Sequence, residues 1–338
     1  MKMIISPAVT WCKGYKNALL MHLHDEKVQS VPLSVLEVIE YIAHCQSTNY
    51  QDVLIRFSEH ADVVKGYLDF LLQKQWLLEV PDFVDYQPIS IEPSAILKTR
   101  NFYLEVSDNT SLSWFEDIAL WLRKHRATHS LIISLSDESE KTQSVASDII
   151  KRARNLGYNQ CGILLSQHIK NENIYDGMSG DLDFFLAQQN AASSTHINHV
   201  EVITLTKDIV HKGSHLQSNL YSCRHNKLGT YRADNIFIDK NKAIYPHPFD
   251  LYLLGRAKNS LNLSQVINGP KAHSYFFMSK DKIDKCRICE YRLSCTNSLW
   301  NRQDKDVLSS APKNCTYDPI VGVWHDTPVT NTAYKLEA

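Results

Sequence analysis

The chain has 338 residues, 43% of them hydrophobic and 22% charged, and carries a formal net charge of −1. That composition suits a soluble globular protein with two or three cores, and excludes long disorder and a general nucleic-acid binder, which needs a basic excess. No apolar run approaches a membrane span, and residues 1–10 lack the charged start and apolar stretch of a secretory signal, so a cytoplasmic protein with no membrane partner is expected.

Residues 1–86 read as a winged-helix-like module. The apolar stretches Asn17 to Leu23 and Val28 to Val31 flank Asp25 and Glu26, the pattern of a hairpin. Ser34 with Glu37 has the spacing of a capping box before Val35, Val38, Ile39 and Ile42, and Thr48 with Gln51 repeats it before Val53, Leu54 and Phe57. A third helix is expected through Val64, Tyr67, Leu68 and Leu71, and a returning strand from Trp76 to Val80. Helices on a small sheet suggest DNA binding, but this stretch holds seven Lys or Arg against eleven Asp or Glu, a net −4. Phosphate would call for the opposite sign. The same plan, a hairpin running into a helix through VPLS, resembles the PqqD-like precursor-peptide recognition element. That resemblance implies that an extended leader peptide adds a strand to the sheet edge and packs on the third helix.

Residues 87–220 alternate strands and helices at the period of βαβ units, which predicts a mainly parallel sheet or a partial barrel. Strands are expected at Phe102 to Val106, Ser130 to Leu135, Gln160 to Leu165 and His199 to Leu205. One helix carries Phe115, Ile118, Ala119 and Leu122 on its inner face and another Val145, Ile149 and Ala153, with Gly157 placed to end it. The polar stretch His168 to Ser194 reads as partly mobile, with a short helix at Leu182 to Gln188. Loops after such strands commonly carry chemistry, yet Ser107 to Leu112, SDNTSL, offers no nucleophile, metal triad or phosphate motif. Neither GxxxxGK[ST] nor GxGxxG occurs anywhere, so ATP and NAD are not expected to bind through the common loops.

Residues 221–327 hold Cys223, a hairpin at Ile236 to Asp239 and Ala243 to Tyr245, then His247, and four crowded cysteines; the polar tail 328–338 is expected to be disordered. Cys286, Cys289 and Cys295 are spaced Cys-x2-Cys-x5-Cys, and Cys315 comes from a later loop. Thiols stay reduced in the cytoplasm, where such groups are more often metal ligands than disulfides. The spacing departs from the paired Cys-x2-Cys knuckles of a zinc ribbon and favours an iron-sulfur cluster; structural zinc and disulfides remain as alternatives. Four protein ligands leave no iron open to substrate, so the centre would hold a loop-rich region together or carry electrons. Lys285, Arg287 and Arg292 flank the thiols and read equally well as charge compensation for an anionic centre or as solvated surface.

The segments CRICEYRLSC and NCTYDPIVGVW resemble the cysteine-rich end of a SPASM domain, found at the C-terminus of radical S-adenosylmethionine enzymes that modify ribosomally made peptides. In that family the cysteines matching Cys286, Cys289, Cys295 and Cys315 hold the second auxiliary cluster. The first needs a further cysteine where Leu299 stands, and two upstream positions that are Cys223 and His247 here. The resemblance therefore implies one [4Fe-4S] cluster on Cys286, Cys289, Cys295 and Cys315, with Cys223 and His247 as weak candidates for further ligation. It also requires Cys-x3-Cys-x2-Cys after the first barrel strand. SDNTSL lacks it, and no S-adenosylmethionine is expected to bind.

The combination is similar to the SPASM-domain peptide maturases of grasp-with-spasm systems. The fold class implied is α/β, with the recognition module, a degenerate radical-SAM-like partial (β/α) barrel and a SPASM-like iron-sulfur domain. The partners implied are a precursor peptide and an ATP-grasp ligase, with no nucleic acid. A redox enzyme using the cluster on the peptide and a zinc-stabilised binding regulator are the alternative readings. No residue can be assigned a catalytic role, whether the chain is itself an enzyme stays open, and so does homo-oligomer formation.

Overall fold

A computed structural model describes residues 1–45, 48–81, 88–91, 101–165, 182–188, 196–197, 200–205, 218–228, 235–248, 250, 252–295, 309, 311–313 and 315–327. The N-terminal part contains β1 (Lys2–Ile5), β2 (Val9–Lys13), β3 (Asn17–His22), β4 (Lys27–Pro32), α1 (Leu33–His44), α2 (Tyr50–Arg56), α3 (Ala61–Gln73) and β5 (Leu77–Val80). Strands β2, β3 and β4 form an antiparallel meander. Separately, β1 pairs antiparallel with β5, Lys2 opposite Val80, which ties the first strand of the unit to its last.

Both faces of the meander are covered. Ala18 and Leu20 of β3 pack with Val35, Leu36, Ile39, Val64 and Leu68 of the helices, while Leu19 and Met21 face a second cluster with Cys12, Leu23, Cys223 and Leu293. A strand buried on both faces has no polar alternation to display, and NALLMH has none.

Both expected capping boxes are replaced by other geometry. Helix α1 follows Pro32 directly without a side-chain cap, and the Ser34 hydroxyl lies 2.9 Å from that of Tyr67 on α3. Pro32 already meets the φ requirement at the helix start, and it frees Ser34 to join the two helices. Asn49, not Thr48, caps α2 by accepting from the Asp52 N–H, while Thr48 exchanges backbone hydrogen bonds with Met3.

The central sheet has nine strands, introduced in chain order as β6 (Asn101–Val106), β7 (Ser130–Leu135), β8 (Gln160–Leu165), β9 (Phe184–Gln188), β10 (His196–Ile197), β11 (Val200–Leu205), β12 (Asn235–Ile238), β13 (Ala243–Tyr245) and β14 (Gly255–Arg256). Their spatial order is β10-β11-β9-β8-β7-β6-β12-β13-β14. Strands β11, β9, β8, β7, β6 and β12 are mutually parallel; β10, β13 and β14 pair antiparallel at the two sides. One face is packed by α4 (Leu112–Arg126) and α5 (Glu140–Asn155), and farther along by α7 (Ser260–Ile267) and α8 (Pro270–Phe276). Tyr103, Ile132, Leu164 and Leu186 form a smaller apolar cluster of their own.

Helix α5 ends as its sequence asks: Gly157, at φ +85°, donates to Arg154 O while Tyr158 donates to Ala153 O, the paired bonds of a Schellman motif. Its buried face is rotated from the expected one, to Thr142, Ala146, Ile149, Ile150 and Ala153. The helix expected at Leu182 to Gln188 is strand β9 instead. Short apolar runs fit either period, and here the open hydrogen bonds of β8 and β11 on either side decide it. Gly162 of β8 makes room for this neighbour, since a Cβ there would come within 2.4 Å of the Phe184 ring.

The hairpin β12–β13, placed by sequence in the third segment, belongs to this same sheet, because β12 pairs parallel with β6. A boundary at residue 220 thus runs through shared structure. Helix α6 (Leu220–Leu228) precedes it, and α9 (Asp284–Arg287), β15 (Tyr317–Asp318) and β16 (Val323–Trp324) follow. Of the stretch His168 to Ser194 expected to be partly mobile, positions 168–181 and 189–194 lie outside the described residues, as does the tail 328–338.

Candidate metal centre

The four cysteines come from a chain segment with little regular structure. A 3-10 turn at Lys280–Lys282 leads to α9, whose single turn carries Cys286, and a second 3-10 turn at Glu290–Leu293 separates Cys289 from Cys295. Cys289 donates its N–H to Cys286 O at 3.0 Å, the tight reversal that a Cys-x2-Cys needs to aim both thiols one way. The Cys295 N–H bonds Tyr291 O at 2.8 Å, and Cys315 arrives just ahead of β15.

The thiols share one electrostatic environment. Burial, followed by the charge of Cys315, pushes the Cys286 thiol up to about 12, with Cys295 adding to the rise and Lys280 and Lys285 opposing it. Burial also raises Cys289 well above the ordinary thiol range, and Glu290, Cys315, Cys286 and Cys295 add to it. Protein alone therefore keeps Cys286 and Cys289 protonated; a bound cation inverts that preference by supplying the missing charge. Among the described residues no three His, Cys, Asp or Glu side chains already stand in an arrangement that holds a metal ion. The donor set matches a thiolate-bound metal group in its number of thiols and in the cations beside them, though not in an arrangement already closed on one ion. Such a group would use Cys286, Cys289, Cys295 and Cys315 and would supply a rigid cross-link between the two chain segments.

The three flanking cations separate into two kinds. Lys285 is 1% exposed and donates to Cys315 O at 3.1 Å. Arg287 is half-exposed and reaches Asp284 at 3.9 Å. Arg292 joins three groups, Asp281 at 2.7 Å, Lys13 O at 2.7 Å and Cys289 O at 2.9 Å.

Lys13 is in β2, so that last contact fastens the N-terminal hairpin to the cysteine turn. Tyr15 adds a backbone bond to Ile288 O at 2.8 Å, and Cys12 lies 3.9 Å from Cys289 O. The buried Glu290 carboxyl accepts from the Tyr317 hydroxyl through Oε1, and burial raises its pKa. Tyr317, Tyr291 and Trp324 pack edge-on or tilted against one another, with ring centroids 4.8 to 5.4 Å apart. Sequence reading passed over Glu290, Tyr317 and Gly14; the only signal was their nearness in the chain to cysteines or to a turn.

Cys223 and His247 go to different places. Cys223 is buried on α6 with its sulfur 4.0 Å from that of Met21, whereas His247 is buried against the Tyr103 ring, centroids 5.7 Å apart. Burial pushes the Cys223 thiol up to about 11, the state of a small apolar side chain. The loop Ser107–Leu112 is a capped turn: Thr110 Oγ accepts from the Ser107 N–H, and Ser111 caps α4. Position 299 lies outside the described residues.

Residues 1–91 match the family described as competence protein CoiA, C-terminal domain, which is about a quarter of the chain. No curated protein sequence matches. Among solved structures, BtrN in complex with AdoMet and 2-DOIA is 10% identical, with 62% of this chain and 97% of that one covered and a TM-score of 0.36. Streptococcus suis SuiB bound to S-adenosylmethionine is also 10% identical, covering 88% and 95%, with a TM-score of 0.29. A heterocyclase in complex with substrate and cofactor is 13% identical over 44% of this chain and 22% of that one, at 0.20. Likeness of this degree assigns no activity. Among the described residues no helix is long and apolar enough to cross a membrane.

Proposed function

We propose that this chain is a peptide-handling component of ribosomal peptide maturation: its winged-helix-like N-terminal module takes up a precursor peptide, and its SPASM-like end carries one [4Fe-4S] cluster on Cys286, Cys289, Cys295 and Cys315. The observation that carries this reading is the direct seating of the β2–β3 hairpin on the cysteine turn through Arg292, Tyr15 and Cys12. A peptide held on the module is thereby held at a fixed distance from the centre.

The module has a place for an added strand. Among the described residues no strand pairs with the outer edge of β4, whose residues Lys27–Ser30 alternate between exposed and half-covered before the buried Val31. Tyr67 of α3 bonds Ser34 in the first turn of α1, the helix that follows β4 in the chain; in this reading the added strand also packs on α3. The acidic balance of this unit disfavours nucleic acid as the occupant. An ATP-grasp ligase is the partner to which the peptide would be presented, since the chain has no nucleotide loop of its own.

A cluster suits the centre better than zinc. Sulfurs around one zinc ion sit about 3.8 Å apart, as bonds of about 2.3 Å to a tetrahedral ion require. The Cys-x2-Cys-x5-Cys spacing, which departs from the paired Cys-x2-Cys knuckles of a zinc ribbon, supports the cluster in this reading. The cluster's work in this reading is structural, with electron transfer to the peptide as the alternative.

Titrating a candidate leader peptide into the anaerobically purified full chain tests the reading. Saturable binding that is lost when β4 residues are altered is expected; no saturable binding overturns peptide uptake. A colourless protein carrying one zinc overturns the cluster.

A further inference from the structure

Lys280 stands six residues before the first of the four cysteines, and nothing in the sequence links it to them. It is 3% exposed, and its ammonium donates to the backbone carbonyl of Cys295. Lys282, two positions on, is exposed and bonds Phe277 O at 2.9 Å. Among the described residues no carboxylate lies at ion-pair distance from Lys280. The acids nearby are engaged elsewhere, Asp281 with Arg292 and Asp284 with Arg287.

An ammonium removed from water needs an opposing charge, and a carbonyl dipole supplies only part of one. The groups able to supply the rest are the thiols, with Cys286 within reach of the Lys280 charge. Four neutral thiols would balance nothing. Four thiolates around a doubly positive core leave two negative charges, and the buried ammonium of Lys280, donating to the carbonyl of one of these cysteines, is placed to offset part of them.

We propose that Lys280 is the buried counter-charge of the four-cysteine centre, stabilising its anionic, metal-loaded state and raising its reduction potential. This rests on the reading of Cys286, Cys289, Cys295 and Cys315 as one metal-holding group. Lys280 is a positioning residue: it touches the backbone of a ligand, and its charge acts on the group the ligands hold.

The test separates charge from hydrogen bonding. Lys280→Gln keeps a donor for the Cys295 carbonyl and removes the charge, Lys280→Met removes both, and Lys282→Met is the exposed control. The full chain is purified anaerobically, its metal measured, and its release to a chelator followed alongside the far-ultraviolet circular dichroism. Both Lys280 variants are expected to release metal at least tenfold faster than wild type, with Lys282→Met unchanged. For an iron-sulfur centre the reduction potential is expected to fall, a tenfold change in the one-electron equilibrium being about 59 mV. A folded Lys280→Gln protein that keeps wild-type metal retention and potential overturns the proposal, and the loss confined to Lys280→Met would show a hydrogen bond only, which overturns it too. If Lys280→Met does not fold, Lys280→Gln decides alone. A wild-type protein that holds no metal fails earlier, by overturning the centre itself.

Discussion

Gly14, in the turn between β2 and β3, lies against Glu290 so closely that a Cβ would stand 2.7 Å from both the Glu290 nitrogen and its Oε2. The absence of a side chain at one residue is therefore what lets the N-terminal hairpin meet the cysteine turn. Gly14→Ala is expected to push the two apart and to cost about 1–3 kcal/mol, measured by denaturant unfolding. Gly66 in α3 is the control: a Cβ there meets nothing within 4 Å, so Gly66→Ala is expected to stabilise by up to about 1 kcal/mol.

Arg292 is the polar half of the same junction. Its guanidinium joins Asp281, Lys13 O and Cys289 O, a fork that a point charge does not reproduce. Arg292→Ala is expected to destabilise by about 2–3 kcal/mol. Arg292→Lys should recover only part of this, and limited proteolysis should show cleavage near Lys13 to Lys16 rising in both variants.

In the proposed centre Cys289 would contribute one ligand, and its N–H closes the turn that carries Cys286. Cys289→Ala is expected to abolish stoichiometric metal and to lower the melting temperature, because binding free energy at such a site is folding free energy. Cys223→Ala, which changes only apolar packing in this structure, should keep the metal. Metal analysis of the two proteins side by side checks the assignment.

Asp137 supplies a pH-dependent term far from the centre. The Ser139 hydroxyl, then the Ser139 N–H, hold its carboxyl well below the usual range at the start of α5. A carboxyl depressed in the folded state adds stability that is present above its unfolded pKa and lost as pH falls through the folded one. The contribution is thus full at neutral pH and declines below about pH 4. Asp137→Asn is expected to be less stable than wild type at pH 7, with the gap closing towards pH 2; unfolding curves across that range measure it.

Local chemistry wrote much of this fold into the chain. Phe115, Ile118, Ala119 and Leu122 mark the buried stripe of α4, Gly157 ends α5, and NALLMH, apolar without alternation, marks a strand with two covered faces. The spacing of Cys286, Cys289 and Cys295 identified the candidate centre by itself, since ligands from one turn must be close in sequence. Tertiary structure decided the rest. Phe184–Gln188 is a strand because β8 and β11 leave it hydrogen bonds to make, and β12 joins β6 although 134 positions separate Asn235 from Asn101. Only the folded chain separates Lys280 and Lys285, buried on the carbonyls of Cys295 and Cys315, from Arg287 at the surface, and only it packs Cys223 on Met21 and His247 on Tyr103. Periodicity and spacing report what a residue does with its chain neighbours; burial and charge balance depend on which distant segments arrive.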